Sequence, residues 1–510
     1  MSFFGIVFFI LFYIYTYIFI RMDAGKETHG LVEENSPAPP APAAEEATGL
    51  VVPSTEMGDG DAKNMEETIV GANGGGGEEG EEGEEEHQEG SLWEKEQKHF
   101  FVLSDAGKPI FSRYSEDSPD IIPLMGVASL IIARAKGGVR TVVAGDTLIV
   151  FLLREPLYLF AASRTGETVA HLRCQLKYLY AQMTFVLTTR TFDTLRKNPS
   201  FDIRSLLRGT RGSLLEIIDT ADKTPNLFLE AVSTLPLPAP IRAKAQKVIR
   251  AEKQDALNYA ILMSGFELVA IMQPKNNELH PSDLLLIMNF VNTHASLRQS
   301  ETWMPLCLPN FNATGFLHGY CAYLGHDGSS NVGLMLITTD SNPENFHRFQ
   351  QVKARVEVRL KDEGVIAAIE REQRRENVTT AELGIPQVFH FIYAGKAVGL
   401  NQCLSVAFSL PYISEPSQQR LLRRYQHVYH MAHGKVFRGA VDSHYGKNNI
   451  VVDNTPTETV VGFIGDESEV YFAVSPLADM KLIRSCLDRI LKAVQRNSSS
   501  LFFMEKNTWK

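Results

Sequence analysis

The stretch "KHFFVLSDAGKPIFSRY" (98–114) decides how this chain folds. An apolar run, a turn at "DAGKP" and a second apolar run spell a β-hairpin. "DIIPLMGVASLIIARAKGG" (120–138) follows as a predicted helix with a glycine stop and Pro123 near its start. "VRTVVAGDTLIVFLLREPLYLFAAS" (139–163) gives three strands broken at "AGD" and "REP". "TGETVAHLRCQLKYLYAQMTFVLT" (165–188) then reads as a helix with Thr165 and Thr168 as candidate caps. Further helical pieces fill 205–232. Two strands, a helix, three strands and a helix fit an antiparallel sheet with helices packed on both faces.

Working outward, the same order returns twice. "LNYAILMSGFELVAIMQP" (257–274) is a hairpin centred on Ser264 and Gly265. A helix led by Pro281 (281–297), strands at 302–311, 315–325 and 332–340, and a helix at 342–364 follow it. The third copy opens at "QVFHFIYAG" (387–395) and continues with a strand at 400–410. Its helices are expected at 414–434 and 479–497, around strands at 444–454, 457–466 and 468–476. The expected fold class is α+β. Modules span 98–240, 255–365 and 385–505, and each is a five-stranded antiparallel sheet with helices on both faces.

The flanking chain is different in kind. Of the 60 acidic and 50 basic residues, 21 acidic and 5 basic fall in 1–98, a net of −16. The body must therefore carry about +6 to reach the total of −10. Residues 22–97 are read as a disordered acidic tail, because "NSPAPPAPAA" (35–44) and "GANGGGGEEGEEGEEEHQEG" (71–90) cannot bury enough apolar surface to fold. Residues 1–21 are an apolar segment barely as long as a membrane span. They lack the basic start and small-residue cleavage site of a signal peptide. They are read as upstream sequence before a start at Met22, with an N-terminal anchor as the alternative. The five cysteines are scattered, odd in number and form no CxxC, which points to reduced thiols and a cytosolic setting.

Catalytic signatures are missing: there is no Walker phosphate loop, HExxH, nucleophile elbow or strand-to-helix GxGxxG. No cofactor or metal is expected. "QHVYHMAHG" sets His427, His430 and His433 three residues apart on a predicted helix, a spacing that drifts around the axis and suits one ion poorly. Arg420, Arg423 and Arg424 precede them and are candidate contacts for an anionic lipid surface or an acidic partner. "FSRYSEDSPDIIPLMG" (111–126) joins the first hairpin to the first helix, with an acidic cluster, two prolines and an apolar string that suit docking.

"HFFVLSDAGKPIFSRYSED", "VVAGDTLIVFLLREPLYLFAASRTGET" and "LRCQLKYLYAQMTFVLT" closely resemble the SAND family, the Mon-one-type vacuolar fusion proteins. "PYISEPSQQRLLRRYQ" and "YFAVSPLADMKLIRSCLDRILK" resemble the third module of that family. The resemblance covers 98–505 and is most specific in module one. It implies three longin domains, in agreement with the three modules. It also implies pairing with a Ccz-type longin protein into a heterodimeric guanine-nucleotide exchange factor. That factor would act on a late-endosomal Rab GTPase at phosphoinositide-rich membranes. The chain is then a GTPase regulator without catalytic side-chain chemistry, cytoplasmic and peripheral on late-endosomal and vacuolar or lysosomal membranes. A longin trafficking adaptor without exchange activity is the alternative. From the shared longin architecture, Tyr114, Glu116, Asp117, Pro119, Ile121 and Ile122 are the expected GTPase contacts. Arg420, Arg423 and Arg424 are the expected membrane contacts.

Overall fold

The computed structural model describes residues 95–114, 121–134, 138–325, 330–375, 377–397, 399–437, 450–505 and 508–509. The apolar segment 1–21 and residues 22–94 of the acidic tail lie outside them.

Module one begins with β1 (Lys98–Ser104) and β2 (Pro109–Ser112), which close around Gly107 at φ +79°, a left-handed conformation that glycine adopts freely. Helix α1 (Ile121–Arg134) carries the chain to the far edge and buries Leu124, Met125, Ala128, Ile131 and Ile132. Strands β3 (Thr141–Ala144), β4 (Thr147–Arg154) and β5 (Leu157–Ser163) return across the sheet, in the order β2-β1-β5-β4-β3, with every pair antiparallel. Alternation divides the side chains. Phe100, Val102, Val150 and Leu159 join the core that holds helix α2 (Val169–Lys197). Phe101, Phe151 and Phe160 stack with ring centroids 4.7 and 5.7 Å apart.

Thr168 caps α2 by accepting a hydrogen bond from the His171 amide at 3.2 Å. The helix breaks at Thr188, a β-branched residue at φ +65°, where the Thr189 amide donates instead to Ala313 O at 2.9 Å. Helix α3 (Arg211–Lys223), a short strand β6 (Val232–Ser233) and helix α4 (Ala239–Arg250) lead into module two.

Module two comprises β7 (Tyr259–Ser264), β8 (Glu267–Met272), α5 (Pro281–Thr293), β9 (Thr302–Leu306), β10 (Leu317–Tyr323), β11 (Val332–Thr338), α6 (Glu344–Asp362) and α7 (Val365–Gln373). Module three comprises β12 (Val388–Ala397), β13 (Leu400–Ser405), α8 (Glu415–Phe437), β14 (Ile450–Asn454), β15 (Thr459–Ile464), β16 (Ser468–Val474) and α9 (Met480–Leu501). The strand orders β8-β7-β11-β10-β9 and β13-β12-β16-β15-β14 repeat that of module one.

One detail departs from the expected fold. The third sheet has six strands and is mixed, because β6 adds itself parallel to β13, with Val232 opposite Gln402 and Ser233 opposite Cys403. The end of the span read as module one (98–240) thus joins the sheet of module three.

The cores are shared in the same way. Leu172, Leu176 and Leu179 of α2, Leu214 and Ile217 of α3 and Leu284, Ile287 and Met288 of α5 lie in one apolar cluster with inner residues of the first two sheets. In module three, α9 packs on one face with Phe391, Val461 and Phe472. On the other face, α8 packs with Tyr471, Ala473 and the linker residues Phe228, Leu229 and Ala231. Arg242, buried in α4, fastens the segment that leads into module two onto module three: its Nη2 donates to Leu235 O and Ser500 O, both at 2.8 Å, and its guanidinium lies 4.8 Å from the Phe503 ring centre. Burial lowers its pKa only to about 10, so the group remains charged at neutral pH.

Candidate partner-binding surface

The chain leaves the first sheet at Ser112, and its exit is held from several sides. The Tyr114 hydroxyl lies 2.8 Å from Glu96 Oε2 and 3.0 Å from Lys98 O, and burial raises its pKa. Its ring meets His99 edge-on at 5.4 Å, with the Arg113 guanidinium 5.6 Å from its centre. Arg113 in turn donates to Asp219 Oδ1 of α3 at 2.8 Å. Arg211, the first residue of α3, does most to set the direction. Its guanidinium stands 5.3 Å from the Phe111 ring centre and donates to Ser112 O at 2.9 Å, Arg113 O at 3.4 Å and Tyr114 O. All three contacts converge on Nη2, whose two N–H groups are shared among the carbonyls while the guanidinium stands over the Phe111 ring. Beside it opens a cleft of about 540 Å³ lined by Phe111, Tyr114, Arg204, Arg208 and Arg211.

Of the six residues expected to meet a GTPase, Tyr114 is therefore an anchor at the root of the segment. Glu116, Asp117 and Pro119 lie outside the described residues, and Ile121 and Ile122 open α1. Leu130 on α1 is 48% exposed, which leaves apolar surface on the helix that this segment feeds.

Behind the hairpin lies a polar cluster that sequence reasoning missed. Lys98 Nζ donates to Glu167 Oε1 and, at 2.6 Å, to Asp222 Oδ1. Ser163 and Thr165 also donate to Glu167, and Gln175 Nε2 donates to Asp222 at 2.8 Å. Burial pushes the Glu167 carboxyl up, but the Lys98 charge outweighs it and the net shift is downward. Burial also pushes Asp222 up, but the Lys98 ammonium at 2.6 Å holds it low, with His171 Nε2 standing 3.8 Å from the same Oδ1, longer than a hydrogen bond. His171 is buried, which lowers its pKa, and neither ring nitrogen finds a hydrogen-bond partner. Among the described residues, Glu167, His171 and Asp222 are the one group whose ligand atoms converge closely enough for a metal ion. The Lys98 ammonium already bridges the two carboxylates and supplies the charge that an ion would bring.

On α8 the three histidines take separate surroundings. His427 is exposed. His430 is held neutral, its pKa lowered to about 4 by burial and by His171, His433 and His427. His433 Nε2 lies 3.1 Å from Glu469 Oε2 on β16, and its ring packs 4.1 Å from that of Tyr429. The three arginines also divide. Arg420 is exposed and Arg423 half-buried. Arg424 turns onto β14 and the turn before β15, where it meets Asp453 Oδ2 at 2.6 Å and Glu458 Oε1 at 3.7 Å. No helix among the described residues is long and apolar enough to cross a membrane.

Comparison with known proteins agrees with this architecture module by module. Residues 98–217, 255–357 and 387–498 match the first, second and third longin domains of FUZ, MON1 and HPS1. The vacuolar fusion protein MON1 homolog A of Gallus gallus is 31% identical over 82% of this chain and 74% of its own length. The chain belongs to the MON1/SAND family. Other MON1 proteins are about as similar: the Arabidopsis thaliana homolog is 30% identical over 80% of this chain and 70% of its own length. That of Yarrowia lipolytica is 31% identical over 80% and 74%. The three repeated modules are thus the three longin domains of a MON1-type chain. The fourteen-residue run from Asn226 to Ala239 that stitches module three to the others falls between the first two matched domains.

Proposed function

We propose that this chain is one subunit of a heterodimeric guanine-nucleotide exchange factor for a late-endosomal Rab GTPase. It acts with a Ccz-type longin protein in endosome maturation and in fusion with the vacuole or lysosome. A trafficking role is supported by its relatives, which are vacuolar fusion proteins. The observation that carries the finer reading is the rigid root of the 114–134 segment in module one, where Arg211 and Tyr114 fix a chain exit that leads to a helix with exposed apolar surface.

The physical requirement for exchange is modest. A GTPase holds its switch loops through phosphate and magnesium contacts. A surface that binds the nucleotide-free form more tightly than the loaded form shifts the equilibrium toward release. In this reading Glu116 and Asp117 displace a switch, while Pro119, Ile121 and Ile122 dock against apolar GTPase surface. Membrane contact is assigned to module three. Arg420 and Arg423 supply positive charge there, and Leu410 and Ile413, 74% and 69% exposed, stand on the loop that enters α8. An anionic phosphoinositide surface is the matching partner.

Glu116→Lys combined with Asp117→Lys tests the placement. GDP release should slow while heterodimer assembly and melting temperature stay unchanged. Normal release would remove this segment from the site. A heterodimer that binds the GTPase but releases no nucleotide would instead favour the adaptor reading.

A further inference from the structure

All three modules contribute to a second cavity of about 680 Å³, within the range of small-ligand sites. Leu285 and Met288 of α5 and Phe408 of module three give it apolar walls. Phe266, 40% exposed in the turn between β7 and β8, lines it as well. Two hydrogen-bond acceptors in this lining lack donors. Asn289 Nδ2 donates to Gln182 Oε1 at 2.9 Å and to Ser213 O at 2.8 Å, which fixes the amide and leaves Oδ1 buried and unpartnered. The side chain of Glu267, the first residue of β8, is half-buried and makes no hydrogen bond or ion pair among the described residues. Burial alone raises its pKa to about 7, with no charged neighbour contributing.

The other titratable groups in the lining do not serve Glu267. Arg375 is engaged by Glu372 at 3.7 Å and Glu382 at 3.3 Å. Lys223 is exposed to solvent. Cys403 is a buried thiol pushed up to about 12 and stays neutral. A half-buried unpaired carboxylate, an unpaired amide oxygen and an aromatic ring in one cavity of mixed polarity suit the same group, a positively charged one rich in N–H donors.

We propose that the three-module cavity binds an organic cation, a primary ammonium or guanidinium on a short hydrocarbon stem, with Glu267 as counter-ion and Phe266 against the stem. A free polyamine or a lysine or arginine side chain of the longin partner could bring that chemistry. Filling the site would tie the three modules together.

Calorimetric titration of the full chain with spermidine tests the proposal. Binding should tighten from pH 6 to pH 8 as Glu267 ionises. Glu267→Gln should weaken it about tenfold or more and flatten the pH response. Phe266→Ala, at a surface position, should weaken it while keeping the pH response. If the purified heterodimer also binds spermidine, the natural ligand is free; if only the isolated chain binds it, the partner's own side chain occupies the site. Wild-type binding that is absent, insensitive to pH, or equal in Glu267→Gln overturns the proposal.

Discussion

Arg211 Nη2 stands 2.9 Å from the carbonyl oxygen of Ser112 and reaches on to those of Arg113 and Tyr114. One side chain at the start of α3 thus sets the direction in which the chain leaves the first sheet. Arg211→Ala should lower exchange by the heterodimer about tenfold, the effect of losing about 1.4 kcal/mol of ordering in the contact segment. Arg211→Lys should recover only part of the loss, since an ammonium keeps N–H donors for the carbonyls but loses the guanidinium contact with the Phe111 ring. GDP-release kinetics beside melting curves check both. Full activity in Arg211→Ala would show that the segment needs no such anchor.

The buried lysine behind the hairpin makes a different prediction. Lys98→Met leaves Glu167 and Asp222 without their counter-charge and should cost about 3–5 kcal/mol. The pH dependence gives the sign. In the wild type both carboxyls are lowered, so their contribution is present above the ordinary carboxylate range and is lost as pH falls through their folded values. In Lys98→Met the unpaired acids favour protonation, so stability should rise as pH falls from 7 to 5. Urea unfolding at the two pH values distinguishes the cases.

Glu267 carries the opposite sign in the wild type. Its pKa is raised to about 7, so its contribution to stability is full below the ordinary carboxylate value and is lost as pH rises through 7. Glu267→Gln should therefore be more stable than wild type at pH 8, by on the order of 1–3 kcal/mol, and equal to it near pH 4. Thermal melts across that range measure it.

Much of the fold is legible in the sequence, for physical reasons that particular residues show. Strands buried on both faces read as apolar runs, turn residues such as Gly107 and Gly265 mark the hairpins, and Thr168 and Pro281 start helices where local chemistry requires. Even the break at Thr188 coincides with the end of the apolar pattern at 165–188. Strand β6 could not be read this way. Val232 and Ser233 sit in "AVSTLPLPAP", too short for any period, and pair only because Gln402 and Cys403 offer an edge. The Lys98 cluster was hidden for a related reason: its two carboxylates are 69 and 124 residues away, and a lysine at a strand start looks solvated.

Arg424 illustrates the same limit within the candidate site. Helix spacing puts it beside Arg420 and Arg423, but tertiary packing turns it onto Asp453 and Glu458. Arg420→Glu with Arg423→Glu should weaken binding to vesicles containing phosphatidylinositol phosphates at an unchanged melting temperature. Arg424→Glu should instead destabilise the fold by about 2–4 kcal/mol, because it sets a third carboxylate against two. Vesicle flotation and melting curves on the same variants separate charge presented to lipid from charge used inside the module.

The most direct measurement is the release of fluorescent GDP from the late-endosomal Rab GTPase, followed in time with purified heterodimer and with each subunit alone. Release should accelerate in proportion to heterodimer concentration and stay near the intrinsic rate with either subunit alone. Release at the intrinsic rate at every heterodimer concentration, from a complex shown to bind the GTPase, would contradict the assignment of this chain to nucleotide exchange.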